Sequence, residues 1–379
     1  MTLFAGLMSG TSLDGVDAVL AQWPEAGDAG ASRRPIERAF VHLDMPTGLR
    51  DELLALNSEG GNELHRAALA ANALAELYAQ ALGQVIAAAG IEAADVHAAG
   101  AHGQTVRHRP REFDGTGYSI QLLNGALLAE RSGIDIVCDL RTRDVAAGGQ
   151  GAPLVPAFHA EVFRSETGED VAVLNLGGIA NLTLLPAANH SAVRGFDCGP
   201  GNLLLDLWCE RHYGCRFDAA GQIAARGRVH DGLLRRLLVD PFFDRAPPKS
   251  TGRDLFDAHW LDRCLAAAPA LSPDDVMATL VELTAAAACD ALVRHAPGTR
   301  RLRVCGGGAF NGHLMARLAA RAGARIDVAS TAAAGIDPDH VEALAFAWLA
   351  CAFGGRREGN LCTVTGAEGP RVLGALYPA

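Results

Sequence analysis

One pattern stands near the head of each half of this chain, and it constrains the fold more than any other feature. Leu3 to Leu20 (LFAGLMSGTSLDGVDAVL) reads as apolar strand, glycine-rich turn, apolar strand, and Val171 to Pro186 (VAVLNLGGIANLTLLP) reads the same way. No 3.6-residue apolar period follows the first turn, so it predicts a hairpin and not a strand-to-helix turn. A duplicated hairpin in a chain of 379 residues predicts two similar α/β domains that face one another. A later apolar run, Leu302 to Cys305, ends in Gly306, Gly307 and Gly308 and leads into a helical stretch from Asn311 to Arg321. The rhythm of 62–89 predicts a long helix, capped by Asn62 and closed by Gly90. Ile134 to Asp139 predicts a further strand.

Composition narrows the class of function. Nearly half the residues (49%) are apolar and 20% charged, as expected of a chain that buries sizeable cores. The formal charge of −10 leaves no electrostatic footprint for nucleic acid or anionic lipid. Small anionic ligands remain compatible with it where local donors or a metal ion overcome the global field. The nine cysteines are scattered and include no CxxC pair, so neither a zinc site nor a disulfide framework is expected. No basic segment precedes the first apolar run, and no run of eighteen apolar residues occurs, so the expectation is a cytoplasmic enzyme with no membrane span.

The first turn carries anion chemistry. Glycines let successive backbone N–H groups face one concavity, and Thr11 and Ser12 add short hydroxyl donors. Asp14 and Asp17 can each hold Mg²⁺, or waters on it, beside a triphosphate. The stretch is not a Walker loop, since no GK[ST] follows, and not a dinucleotide fingerprint, since GxGxxG and its helix are missing. A glycine-rich turn with solvated aspartates is the plainer alternative.

Seven motifs in order, GLMSGTSLDGVD, HGQT, GGQGAPLVPAFH, NLGGIANL, GFDCGPGN, PKSTGRD and CGGGAFN, resemble the anhydro-N-acetylmuramic acid kinase family of the sugar kinase and actin superfamily. The resemblance covers essentially the whole chain. It implies two ribonuclease-H-like (actin-like ATPase) domains with a nucleotide cleft between them, here expected over 1–131 plus 344–379 and over 132–343. It implies ATP and Mg²⁺ as cofactors. The ATP contacts would be Gly10, Thr11, Ser12, Leu13, Asp14, Gly15, Val16 and Asp17, then Gly177 and Gly178, then Gly306, Gly307, Gly308 and Asn311. The implied reaction opens the anhydro bridge of 1,6-anhydro-N-acetylmuramic acid while phosphorylating O6, giving N-acetylmuramic acid 6-phosphate in cell-wall recycling. The family also implies a homodimer. Two rivals stand beside this reading: a related kinase acting on an ordinary sugar hydroxyl, and an actin-like ATPase switch without a small-molecule acceptor.

Asp197 in GFDCGPGN matches the family's catalytic aspartate, and a helix-capping role is the alternative. His102 and Gln104 of HGQT are expected to offer neutral donors to the sugar, or else to brace a turn. Arg141 and Arg143 in DLRTRD suit the lactyl carboxylate of muramic acid, unless Arg143 is spent on Asp139 or Asp144. Leu140 stands where the family usually has an aromatic residue, which puts a stacking role there in doubt. Glu342 matches a family glutamate near the sugar, and is otherwise a first-turn helix carboxylate. The charges of the Lys249–Arg253 loop are expected to meet either phosphate or solvent.

Overall fold

The structure is a computed structural model describing residues 1–24, 34–164, 168–188, 193–252 and 255–379. Arg253 lies outside the described residues. Two compact units emerge, Met1–Val162 with His340–Ala379, and Phe163–Asp339.

In the first unit, β1 (Thr2–Met8), β2 (Gly15–Trp23) and β3 (Ile36–Asp44) form an antiparallel meander, β1 facing β2 with Met8 opposite Asp17. The first hairpin is thus as the sequence predicts. β4 (Val96–Ala101) adds parallel to β1. A two-stranded excursion follows, β5 (Gln104–Pro110) with β6 (Gly117–Leu122). Parallel β7 (Ile136–Cys138) and a closing antiparallel strand, Ala375–Tyr377, complete the main sheet. Pairing with β4 and with the closing strand keeps β7 in the first unit, so the chain crosses later than the sequence reading placed it. It returns at His340, slightly earlier, because the whole helix Val341–Gly354 lies on β1 and β4.

Alternation along the strands decides what covers each face. Ala5 and Leu7 of β1 and Ala99 and Ala101 of β4 turn toward the helix Glu63–Ala89, whose Leu74, Tyr78, Leu82 and Val85 complete that core. Gly6 and Gly100 point the other way. A Cβ on either would fall inside the main-chain atoms of Ala343 or Phe346 in the helix Val341–Gly354, so only glycine admits that helix so near the sheet. Gly90 ends the helix Glu63–Ala89 in the left-handed region, as expected. Asn62 does not cap it through its side chain; it is itself left-handed, and the Glu63 carboxylate turns back to accept from the Gly60 N–H instead.

The second unit repeats the order. β8 (Val171–Leu176), β9 (Ile179–Leu185) and β10 (Arg194–Pro200) form the meander, and parallel β11 (Arg301–Cys305) and β12 (Asp327–Ser330) extend it from β8. In chain order both sheets run third, second, first, fourth, fifth, with the second strand antiparallel to its neighbours. This is the ribonuclease-H-like arrangement, present twice. The central helix of this unit, Pro273–His295, is capped by Ser272, starts on Pro273, carries Asp274 and Asp275 in its first turn and ends in Arg294 and His295. Each of these choices favours a helix at that place. It is long and apolar enough to cross a bilayer by length and composition, but its apolar window is mostly buried within the unit.

Candidate active site

The turn between β1 and β2 divides its side chains. Leu13 (φ 55°) and Val16 are buried, so a ligand at the turn meets only their backbone, whereas Thr11, Ser12 and Asp14 are exposed. The Leu13 N–H donates to Gly10 O (3.2 Å), and the Ser12 hydroxyl and Gly15 N–H both donate to Asp14 Oδ1 (2.7 and 3.0 Å). Asp17 lies 2.7 Å from His42 Nδ1. Burial raises the Asp17 carboxyl above its ordinary range, and the His42 contact offsets only part of that. Among the described residues no three acidic, histidine or cysteine side chains gather as a metal site. The exposed Asp14 carboxylate fits a Mg²⁺ held mainly by phosphate oxygens and water.

HGQT braces this turn from below. Gln104 is buried and donates to Gly10 O (3.1 Å). The buried Ser9 hydroxyl meets Tyr78 OH (2.9 Å) and Gly103 O (3.2 Å). His102 Nε2 lies 2.8 Å from Arg141 Nη2, and since guanidinium has no lone pair the imidazole must accept there. Its proton therefore sits on Nδ1, facing Ser9 O at 3.3 Å. Burial, reinforced by the Arg141 charge, holds the His102 pKa down at about 3. The sequence reading left His102 two roles, donor to the sugar or brace of a turn; its two ring nitrogens face Ser9 O and Arg141, so that it orients Arg141.

Arg141 also donates through Nη1 to Gly151 O (2.7 Å). Burial lowers its pKa to about 10, while the charges of Glu342 and Asp144 support the cation. His102, Arg141 and Glu342 are thus brought into one polar cluster. Asp144, fully buried, accepts from Gly151 N (2.7 Å), Asn360 Nδ2 (2.6 Å) and Thr365 Oγ1 (2.8 Å). Among the described residues neither Asp144 nor Asp139 pairs with Arg143, which is exposed. The Asp144 hub escaped sequence reading because its side-chain donors lie 216 and 221 residues away.

The second unit gathers three glycine motifs around the β8–β9 turn. Gly177 O accepts from Asn202 N (2.8 Å), and Gly178 O accepts from Gly201 N (2.9 Å) and Leu203 N (3.1 Å). A Cβ on Gly201 would collide with Gly177 O, and one on Gly306 (φ 77°) with the Asn175 side chain. Gly307 and Gly308 open a short 3₁₀ turn after β11. Asn311 caps the helix Gly312–Ala322 through Leu314 N (2.9 Å). Its Oδ1 is thereby engaged, which leaves the side-chain amide as a donor.

Asp197 sits within β10, half-buried, and caps no helix. Its N–H donates to Lys249 O (3.1 Å), and its Oδ2 accepts from Thr251 N (2.9 Å). Burial raises its pKa to about 6, with the Thr251 N–H and the Lys249 charge pulling the other way. Among the described residues Oδ1 has no hydrogen-bond partner, which leaves an oxygen able to take a proton near neutral pH. The Lys249 ammonium donates to Phe242 O (3.1 Å) and Phe243 O (3.2 Å). The grip of Thr251 on Asp197 was invisible in sequence, since 54 residues separate them.

Comparison with known proteins places the sequence in a family. A model of the family described as anhydro-N-acetylmuramic acid kinase matches residues 2–379. A protein of Variovorax paradoxus (strain S110) named anhydro-N-acetylmuramic acid kinase is 56% identical, covering 100% of this chain and 99% of its own. One of Burkholderia mallei (strain ATCC 23344), with the same name, is 53% identical over 99% of this chain and 97% of its own. Solved structures are similar only loosely. The (R)-2-hydroxyglutaryl-CoA dehydratase component A of Acidaminococcus fermentans has a TM-score of 0.47 at 10% identity, over 91% of this chain and 95% of its own. A ROK family glucokinase from Streptomyces griseus, solved with glucose and AMPPNP, has a TM-score of 0.39 at 12% identity, over 92% and 98%. With full-length identity above one half to relatives that share one name, the chain belongs to the anhydro-N-acetylmuramic acid kinase family.

Proposed function

We propose that the chain uses ATP and water to convert 1,6-anhydro-N-acetylmuramic acid into N-acetylmuramic acid 6-phosphate, opening the anhydro ring as it phosphorylates O6. The observation that carries the reading is Asp197: a half-buried carboxylate with one oxygen held by a backbone N–H, the other without a partner among the described residues, and a proton affinity near neutrality. O6 of the substrate is locked in an acetal and has no proton to lose, so a base has to act on water. Asp197 removes a water proton as the water oxygen bonds to C1. The C1–O6 bond breaks, O6 takes the γ-phosphoryl group, and ADP leaves. The glycine turns at Gly10–Asp17, Gly177–Gly178 and Gly306–Gly308 supply backbone donors suited to the nucleotide. Mg²⁺, when bound beside Asp14, would neutralise phosphate charge. Arg141, oriented by His102, suits the lactyl carboxylate. The product belongs to cell-wall sugar recovery.

Turnover with MgATP in ¹⁸O-water tests this. Label is expected in the C1 hydroxyl and not in the phosphate. Label in inorganic phosphate without sugar product would show ATP hydrolysis and overturn the reading, and equal turnover of free N-acetylmuramic acid would favour an ordinary hydroxyl kinase.

A further inference from the structure

Lys249 is an unusual lysine. It is half-buried, and among the described residues it makes no ion pair. Its ammonium donates to two neutral carbonyls at the end of the short helix Pro241–Asp244, and lies 4.5 Å from the centroid of the Phe242 ring. Phe243 O accepts from Arg294 as well, and Arg294 also pairs with Asp244 at 3.3 Å. Asp244 is therefore engaged elsewhere.

The same residue's main chain grips Asp197. Lys249 O accepts the Asp197 N–H, and two residues on, the Thr251 N–H reaches the carboxylate. A single anchored segment thus holds Asp197 at its backbone and at its side chain.

We propose that Lys249 is a positioning residue for Asp197: its anchored ammonium fixes the 249–251 segment against the carboxylate and adds a positive charge that favours the ionised form. The proposal rests on the reading of Asp197 as the base. The Lys249 charge is among the influences that oppose the effect of burial on Asp197. The other groups facing this region are Cys198, Asp244, Asp290, Arg245, Arg294 and His295. The Cys198 thiol is pushed up by burial and stays neutral. Asp244 is paired with Arg294, and Lys249 is the lysine whose own backbone meets Asp197.

The test is the pH profile of kcat/KM for the anhydro-sugar in wild type, Asp197→Asn, Lys249→Met, Lys249→Gln and Lys249→Arg, with circular dichroism confirming the fold of each. Removing the charge is expected to move the acid limb up by about half a pH unit, an activity loss of about threefold below the limb beyond any loss on the plateau. The arginine variant should keep the limb where the wild type has it, whatever its plateau. Gln retains a donor for the carbonyls and reads the same effect should the Met variant fail to fold. A folded neutral variant with an unmoved limb would overturn the proposal while leaving Asp197 in its role. A wild type without a limb near pH 6, or an Asp197→Asn variant with unchanged activity, would remove both.

Discussion

Gly6 of β1 stands beside Gly100 of β4 in parallel register, and the main chain of the helix Val341–Gly354 passes where both side chains would be. The same helix carries Glu342 in its first turn, beside the Arg141 cluster. Two absent methyl groups therefore set how near the helix can bring that carboxylate.

Gly100→Ala should destabilise the protein by about 3 kcal/mol, because the obstacle is backbone and cannot rotate away. Gly83→Ala is the control. Gly83 lies inside the helix Glu63–Ala89 with open space around its Cα, so alanine there should stabilise by about 0.5–1 kcal/mol. Denaturant unfolding of the two variants should show opposite signs.

Asp197→Asn should keep the fold and lower kcat by roughly two to four orders of magnitude, the usual worth of general-base help. In wild type, kcat/KM should fall about tenfold per pH unit below about 6. A loss under tenfold in the variant would exclude Asp197 as the base.

Asp197 also links pH to stability. Its carboxyl is raised from 3.8 to about 6 on folding, so between those values the native state binds more protons than the unfolded one. Stability contributed by this group is present at low pH and is lost as pH rises through the window. Asp197→Asn should therefore raise the thermal midpoint most above pH 6, with the gain fading toward pH 4. A gain independent of pH would show that the carboxylate is not destabilised by burial.

Arg141→Lys removes the fork that meets both His102 Nε2 and Gly151 O. It should raise KM for the anhydro-sugar roughly tenfold to a hundredfold, the worth of a charge-assisted hydrogen bond, and leave KM for ATP nearly unchanged. Because His102 stays neutral down to about pH 3, no limb between pH 5 and 8 should vanish in His102→Gln. Steady-state kinetics with each substrate varied in turn would check both expectations.

What the sequence disclosed and what it hid follow from the range of the interactions. Both hairpins, the strand at Arg301–Cys305 and the Gly90 terminus were legible because each is decided within a few neighbouring residues. Asn62 misled because its backbone is left-handed and its side chain makes no cap hydrogen bond to the helix. The helix Pro273–His295 escaped the search for apolar runs because a few polar residues punctuate it while the unit buries nearly all of its faces. The motifs HGQT and DLRTRD showed which side chains were available. That His102 would meet Arg141 could not be read, since strands β5, β6 and β7 and the helix Gly125–Ser132 intervene between them. The partners of Asp197 were hidden for the same reason.

At Gly201 and Gly306 the bends lie against Gly177 O and the Asn175 side chain with no room for a single added carbon. A side chain at either position would have to push its neighbours aside, so drift or laboratory evolution has little slack at these two bends. Variation enters more easily at exposed positions with looser neighbours, such as Thr11 in the first unit.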